Sequence, residues 1–204
     1  MTEFAAEWEM LAERILALKK LELVVERVIE ACCVSLAAGN KILFCGNGGS
    51  ASQSQHLAAE LVGRYNQLYR PAMYSVALSV DTSILTAVAN DYGFDDVFRR
   101  QVEGIGRPGD VLFGLSTSGD SLNVVRAFEI AREKKITTVA LVGSKPGRLL
   151  AAADFVLAVP AETSNHIQEM HLAIGHWICG EIERRFYGEN ADFSPFDPLK
   201  AAEE

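Results

Sequence analysis

Five apolar runs of strand length recur along the chain: KILFCG (41–46), YSVALSV (74–80), DVLFGLS (110–116), TTVALVG (137–143) and FVLAVP (155–160). Helix-length segments separate them. Runs that are apolar on both faces and bounded by turn residues suit a sheet covered by helices on both sides, and strand alternating with helix means parallel strands joined by crossovers. The pattern predicts a doubly wound α/β fold, with a parallel five-stranded sheet flanked by helices over residues 41–160. Residues 118–135 read as one crossover helix, with a Gly-Asp-Ser start, apolar Leu122, Val125, Ala127 and Phe128, and a basic end, AREKK, that suits the helix dipole. A segment at 3–37 precedes the sheet, with Leu11, Ile15, Leu18, Leu21 and Val25 near helical spacing and Gly39 as its stop; a second, 164–187, follows it. Both stand outside the strand–helix alternation, so their apolar faces are expected to seek a partner in a helical oligomer seam.

The 204 residues, 49% hydrophobic and 23% charged, are expected to form one domain over 1–204, with a loosely held tail at 188–204, rich in proline and acid. A net charge of -8 argues against nucleic acid as a partner. Cys32, Cys33, Cys45 and Cys179 have neither CxxC spacing nor the density of a disulfide scaffold, and read as buried thiols in a reducing compartment. The opening MTEFAAEWEMLAER puts acids where a secretory signal needs positive charge, and no apolar run reaches the length of a membrane span. A soluble cytoplasmic protein with no membrane partner is expected.

The first strand runs into Gly46-Asn47-Gly48-Gly49-Ser50, which puts flexible backbone and a hydroxyl at the start of a helix, where free N–H groups favour an anion such as phosphate. The same residues fit a dinucleotide fingerprint ending at Ala51. That motif needs an acid about 20 residues on, whereas the second strand here closes much later, at Asp81. The third strand runs into Ser116-Thr117-Ser118-Gly119-Asp120-Ser121, again opening a helix. In an open parallel sheet the carboxyl ends of the strands form the binding crevice, so both loops are expected to face one sugar phosphate. Ordinary helix capping also explains single hydroxyls there, though less readily the cluster. Neither a nucleotide-hydrolysing P-loop nor a serine-hydrolase elbow is present.

Four motifs in order, GNGGSASQSQHLAAELVGRY, ANDYGFDDVF, LSTSGDS and IQEMHLAIGH, resemble the bacterial phosphoheptose isomerases, also called sedoheptulose 7-phosphate isomerases, of the SIS (sugar isomerase) fold. The resemblance spans nearly the whole chain to about residue 187. It implies a homotetramer and one zinc ion per subunit held by His56, Glu60, Gln168 and His176. It also implies a phosphate loop of Ser116, Thr117, Ser118 and Ser121, with Asn47, Gly48, Gly49 and Ser50 at the first turn and Arg64, Asn90 and Asp91 near the sugar. The implied activity converts sedoheptulose 7-phosphate to D-glycero-D-manno-heptose 7-phosphate, feeding nucleotide-activated heptose for surface glycans. A non-catalytic relative that binds the replication initiator DnaA lacks the Glu and second His that this chain carries. Where many isomerases read Asp-Gly-Gly after the fourth strand, this chain has Ser144-Lys145-Pro146-Gly147, a departure expected to leave the site untouched.

A ketose–aldose interconversion moves a proton between C1 and C2 through an enediol or enediolate, and so needs a base, an acid and a holder for the developing oxyanion. Glu60 and His176 are the natural pair. His56 and Glu60, four apart on a helix, share one face. Gln168 and His176 lie eight apart, roughly 12 Å along a helix, near the limit of side-chain reach to a common ion. Either Gln168 sits at an irregular helix start or the site is assembled across a subunit interface. His166 and His171 read as surface or satisfied core, and Trp177 as packing. Two other readings stand beside the isomerase: a non-catalytic interaction protein, and an SIS protein for another sugar phosphate.

Overall fold

The computed structural model describes residues 2–188, and in it the five strands form one parallel sheet in the order β2-β1-β3-β4-β5. The strands are β1 (Ile42–Gly46), β2 (Ser75–Ala77), β3 (Val111–Ser116), β4 (Thr137–Val142) and β5 (Phe155–Ala158). Register is continuous: Ile42 pairs with both Ser75 and Val111, Val111 with Thr137, and Val139 with Phe155. Chain direction across the sheet reverses between β1 and β3, which opens a crevice at their carboxyl ends.

Alternation along the strands divides the core in two. Ile42, Phe44, Phe113, Leu115, Leu141 and Leu157 face one layer; Leu43, Cys45, Leu112, Ala140 and Val142 face the other. The first layer is covered by α2 (Glu22–Ala37), α3 (Gly49–Val62) and α8 (Ser164–Tyr187), and the second by α4 (Thr82–Asp91), α5 (Val97–Ile105), α6 (Leu122–Glu133) and α7 (Leu149–Ala152).

This arrangement corrects the expectation that the apolar faces of the flanking helices need a partner beyond the sheet's covering. The crossover helices α4 to α7 all pack on the second layer, so α3 alone would leave the first layer bare. Val25, Val28, Ile29 and Cys32 of α2, with Ile167, Met170, Ile174, Ile178 and Ile182 of α8, complete it. Only their outer faces remain open, where Trp8, Leu16, Leu23 and Trp177 are exposed.

Three boundaries also differ from expectation. Segment 3–37 is two helices, α1 (Glu3–Ala17) and α2, joined by a 3-10 turn at Leu18–Leu21. In that tighter winding residues three apart eclipse, so Leu18 and Leu21 both pack against the core. The second apolar run yields only three strand residues, because β2 is an edge strand; Asp81 beyond it caps α4 by accepting from Ile84 N at 2.9 Å. The helix expected at 118–135 begins only at Leu122, because the preceding residues form a loop. The tail at 189–204 lies outside the described residues. Cys32, Cys45 and Cys179 are buried free thiols, and Cys33 is partly so. Burial pushes the Cys179 thiol up to about 12 and Cys45 further still.

At the amino edge of the sheet, Lys41 and Asp110 lock β1 to β3. Asp110 accepts from Lys41 Nζ at 2.7 Å, Lys41 N at 3.0 Å and Arg107 N at 2.7 Å, and both side chains are almost fully buried. Asp110→Ala strands a buried ammonium, and should destabilise the fold by about 3–5 kcal/mol in urea titrations. A loss below about 1 kcal/mol would show that the pair does not hold the strands.

Candidate active site

The carboxyl ends of β1 and β3 deliver the two loops to the same place. Asn47 and Asn123 join them by a reciprocal amide pair: Asn47 Nδ2 donates to Asn123 Oδ1 at 2.9 Å, and Asn123 Nδ2 to Asn47 Oδ1 at 2.8 Å. Asn123 is the first turn of α6, and nothing in its sequence context marks it; only the adjacency of β1 and β3 does. Gly48 carries the turn into α3 with φ +55, a left-handed conformation that a side chain disfavours. Gly49 opens the helix, and Ser50 is buried on its first turn, its N–H bonded to Asn47 O at 3.0 Å. Neither α3 nor α6 has a side-chain N-cap; the N–H groups of Ser50, Ala51, Val124 and Val125 bond to carbonyls of the turns before them, and both helices present the positive end of the dipole to the crevice.

The serine-rich loop is internally braced. Ser116 Oγ lies 2.9 Å from Ser121 Oγ and accepts from Gly119 N at 3.1 Å, while Ser118 Oγ accepts from Asp120 N at 3.2 Å. Thr117 is half-buried and its carbonyl accepts from Gly143 N at 3.3 Å. The segment Ser144–Gly147 does reach this loop, contrary to expectation. Leu149 N donates to Gly119 O at 3.0 Å, Arg148 N donates to Asp120 Oδ1 at 3.0 Å, and Pro146 O packs against Gly119. The two loops leave the neighbouring strands β3 and β4 at one sheet edge, so a change in one is felt by the other.

Along the open side of the seam between α3 and α8, three side chains converge, with His56 exposed and Glu60 and His176 partly buried. His56 Nε2 lies 2.7 Å from His176 Nε2 and 3.3 Å from Glu60 Oε1, and ligand atoms of all three fall within 4.8 Å of one another. His56 and Glu60 meet because they are four apart on α3. His176 meets them because α8 comes close at Gly175, where a Cβ would stand 2.6 Å from the buried Leu57. The two imidazole rings are 5.0 Å apart at 68°, and one Nε2 donates to the other. Two imidazoles and a carboxylate are a donor set zinc accepts. Tetrahedral ligands at about 2.0–2.1 Å from the metal lie about 3.3 Å apart, so a modest widening of the His56–His176 contact accommodates an ion.

Gln168 belongs to the regular part of α8, which runs unbroken from Ser164, so the irregular helix start is not what the chain adopts. Its side-chain amide lies over Gly49, and its backbone carbonyl accepts from Gln53 Nε2 at 2.5 Å. Arg64 is exposed just beyond α3 and forms no ion pair among the described residues. Asn90 Nδ2 donates to Asp91 Oδ1 at 2.7 Å; both sit exposed at the end of α4, on the other face of the sheet from α3 and α8, with no hydrogen bond to the three converging side chains among the described residues.

A cleft of about 320 Å³ borders His176, lined by Tyr65, Asn66, Gln67, Trp177 and Glu181. Glu183, which sequence reasoning passed over, is buried behind it and accepts from Tyr65 N, Asn66 N, Gln67 N and Arg70 Nε. Its legible signal is an acid set in the apolar stripe Ile178-Cys179-Ile182 of α8. Burial pushes its carboxyl up, but the Arg70 guanidinium and the three N–H groups hold it net below the usual range. His166, by contrast, joins α8 to α1 through Glu7 at 2.7 Å, and its other ring nitrogen meets Glu169 of its own helix at 3.1 Å.

The chain resembles known proteins along most of its length. A family model described as the SIS domain matches residues 3–143. The phosphoheptose isomerase of Akkermansia muciniphila is 57% identical over 178 residues, 87% of this chain and 94% of that protein. That of Sulfurimonas denitrificans is 49% identical, covering 82% and 86%. The structure of phosphoheptose isomerase GmhA from Neisseria gonorrhoeae superposes with a TM-score of 0.82 at 40% identity, over 88% of this chain and 96% of that one.

His171 is fully buried one turn past Gln168, and burial pushes its pKa down to about 4, against a weaker opposing pull from the Val142 backbone, which approaches without hydrogen-bond geometry. The unfolded chain therefore binds a proton that the folded chain refuses between pH 6.5 and about 4. Stability is fully present above that window and is lost as pH falls through it. About 2 kcal/mol should disappear between pH 6.5 and pH 5 in urea titrations, at 1.36 kcal/mol per unit, and His171→Leu should flatten that part of the profile. An unchanged profile in the variant would assign the pH dependence to other groups.

Proposed function

The chain belongs to the phosphoheptose isomerases of the SIS domain family, and from that premise we propose that it converts sedoheptulose 7-phosphate to D-glycero-D-manno-heptose 7-phosphate at the α3–α8 seam. The observation that carries the reading is the convergence of His56, Glu60 and His176 beside two linked anion-type loops. The phosphate suits the uncapped starts of α3 and α6, with Ser50, Ser116, Thr117, Ser118 and Ser121 around it. That places the reacting end of the sugar toward the seam, with Gln168, which leans on Gly49, between the two.

In the reaction one of the pair Glu60 and His176 takes the proton from C1, and the C–H electrons become the C1–C2 double bond while the C2 oxygen gains charge. The O1 proton passes to the C2 oxygen, the other of the pair returns a proton to C2, and the electrons left on O1 close the C1 carbonyl, so two protons leave and two arrive. No electrons enter or leave. Glu60 and His176 reach a common point because the helices that carry them are held at Gly175. Zinc would be held by His56, Glu60 and His176, with Gln168 as the fourth ligand that the resemblance implies. With part of that shell given over to the substrate, it would polarise the carbonyl and offset the charge on its oxygen, and Glu60 and His176 would be able to carry protons. Arg64 would join the sugar site from the end of α3, whereas Asn90 and Asp91, on the other face of the sheet in the same subunit, would reach a sugar at this seam only from a second subunit of the assembly.

A cytoplasmic homotetramer is part of the same proposal. Its support is the apolar outer surface of α1, α2 and α8 and an α4 with no buried residue. No helix among the described residues is long and apolar enough to cross a membrane. The product would enter nucleotide-activated heptose for surface glycans such as lipopolysaccharide.

Purified protein should isomerise sedoheptulose 7-phosphate. Chelation should abolish turnover and zinc restore it, and Glu60→Gln and His176→Ala should each lower kcat by about 10²–10⁴-fold. Full turnover in Glu60→Gln would remove the carboxylate from the mechanism, and inactivity of the folded protein on this substrate but not on another sugar phosphate would reassign the substrate.

A further inference from the structure

The loop that follows α3 is tied down far more firmly than a surface connection needs. After Val62 the chain turns at Gly63, and the last-turn carbonyls of α3 lose their helical partners. Arg70 takes one of them: its Nη2 donates to Glu60 O at 2.6 Å, its Nη1 to Pro71 O at 2.9 Å, and its Nε to Glu183 Oε2 at 2.6 Å. Three successive backbone N–H groups, those of Tyr65, Asn66 and Gln67, donate to the same Glu183 carboxylate at 3.0, 2.8 and 3.0 Å. Glu183 stands two helical turns beyond His176, on the same face of α8. One buried carboxylate thus fixes where the loop lies on that helix.

The fixed loop sets one ring against the site. Tyr65 lies over Gly180, where a Cβ would stand 2.8 Å from its Cε1, and its ring centroid is 5.8 Å from that of His176. The His176 imidazole therefore touches Tyr65 as well as His56. Well-packed apolar residues would stabilise this place as well as a buried ion pair does. What the pair adds is direction, since it ties the backbone at Glu60 and the ring against His176 to a single point.

We propose that Tyr65, held by Gly180 and the Glu183–Arg70 pair, is a positioning residue that orients the His176 imidazole toward His56 and Glu60. Its effect on turnover rests on the isomerase reading; its effect on the imidazole does not. Tyr65 acts through ring packing, so Tyr65→Phe retains the function and Tyr65→Leu does not. Gly180→Ala displaces the ring without changing any charge, and alanine favours the helix that carries it.

The test combines kinetics on sedoheptulose 7-phosphate with side-chain nitrogen NMR of the histidines, on variants shown by thermal unfolding to be folded. In Gly180→Ala and Tyr65→Leu, kcat should fall about 10–100-fold with KM changed less than about threefold, the signature of misplacement rather than lost binding. The His176 and His56 ring signals should shift while those of His166 stay, and Tyr65→Phe should behave as the unaltered protein does. Unmoved His176 signals and unchanged kcat in both folded variants overturn the proposal, as does a Tyr65→Phe loss equal to that of Tyr65→Leu. Shifted His176 signals in a protein that turns over no sugar phosphate would sink the isomerase reading and leave the positioning role standing.

Discussion

The close approach of α3 and α8 governs what this molecule can do. Gly175 has no side chain, and Leu57 fills the space that one would take, so the two helices meet at a distance that larger residues forbid. Everything polar in the seam depends on that contact. His56 and Glu60 would share a face of α3 in any case, but His176 reaches them only because α8 lies flush against it. A second glycine, Gly180, repeats the device farther along α8 for Tyr65. The apolar layer beneath, from Ile42 to Ile182, holds the helices in place without contributing any chemistry.

The sheet supplies the other half of the site. Its order reverses direction between β1 and β3, and their carboxyl ends release two loops that Asn47 and Asn123 tie together. The opposite ends of the same two strands are joined by Lys41 and Asp110. A central strand pair anchored at one edge by a buried ion pair can leave the other edge open for a ligand. Two buried ion pairs among the described residues, Lys41–Asp110 and Arg70–Glu183, serve geometry in this fold: each ties together elements that carry functional groups.

Periodicity made the sheet legible, because five runs apolar on both faces have few alternatives. It also exposed the His56–Glu60 pair, since four-residue spacing is local geometry. The flanking helices were misplaced because a sequence pattern records that a face is apolar and not which layer it joins; the crowding of α4 to α7 on one face decided that. Asn123, Tyr65 and the Arg70–Glu183 pair were invisible for a related reason. Their partners are far away in the chain, and amide or backbone hydrogen bonds leave no periodic trace. The contact between Pro146 and the serine-rich loop was missed because the adjacency of the β3 and β4 exits is a property of topology.

The central claim is that side chains from two helices form one centre, and coupling in metal affinity tests it most directly. Zinc binding would be measured by equilibrium competition with a chromogenic chelator for the unaltered chain, His56→Ala, His176→Ala and the double variant. The account predicts one ion per chain, a loss of at least about 100-fold in either single variant, and little further loss in the double variant, because each imidazole works only with the other present. Losses that simply add, or zinc held equally well without either histidine, would contradict it.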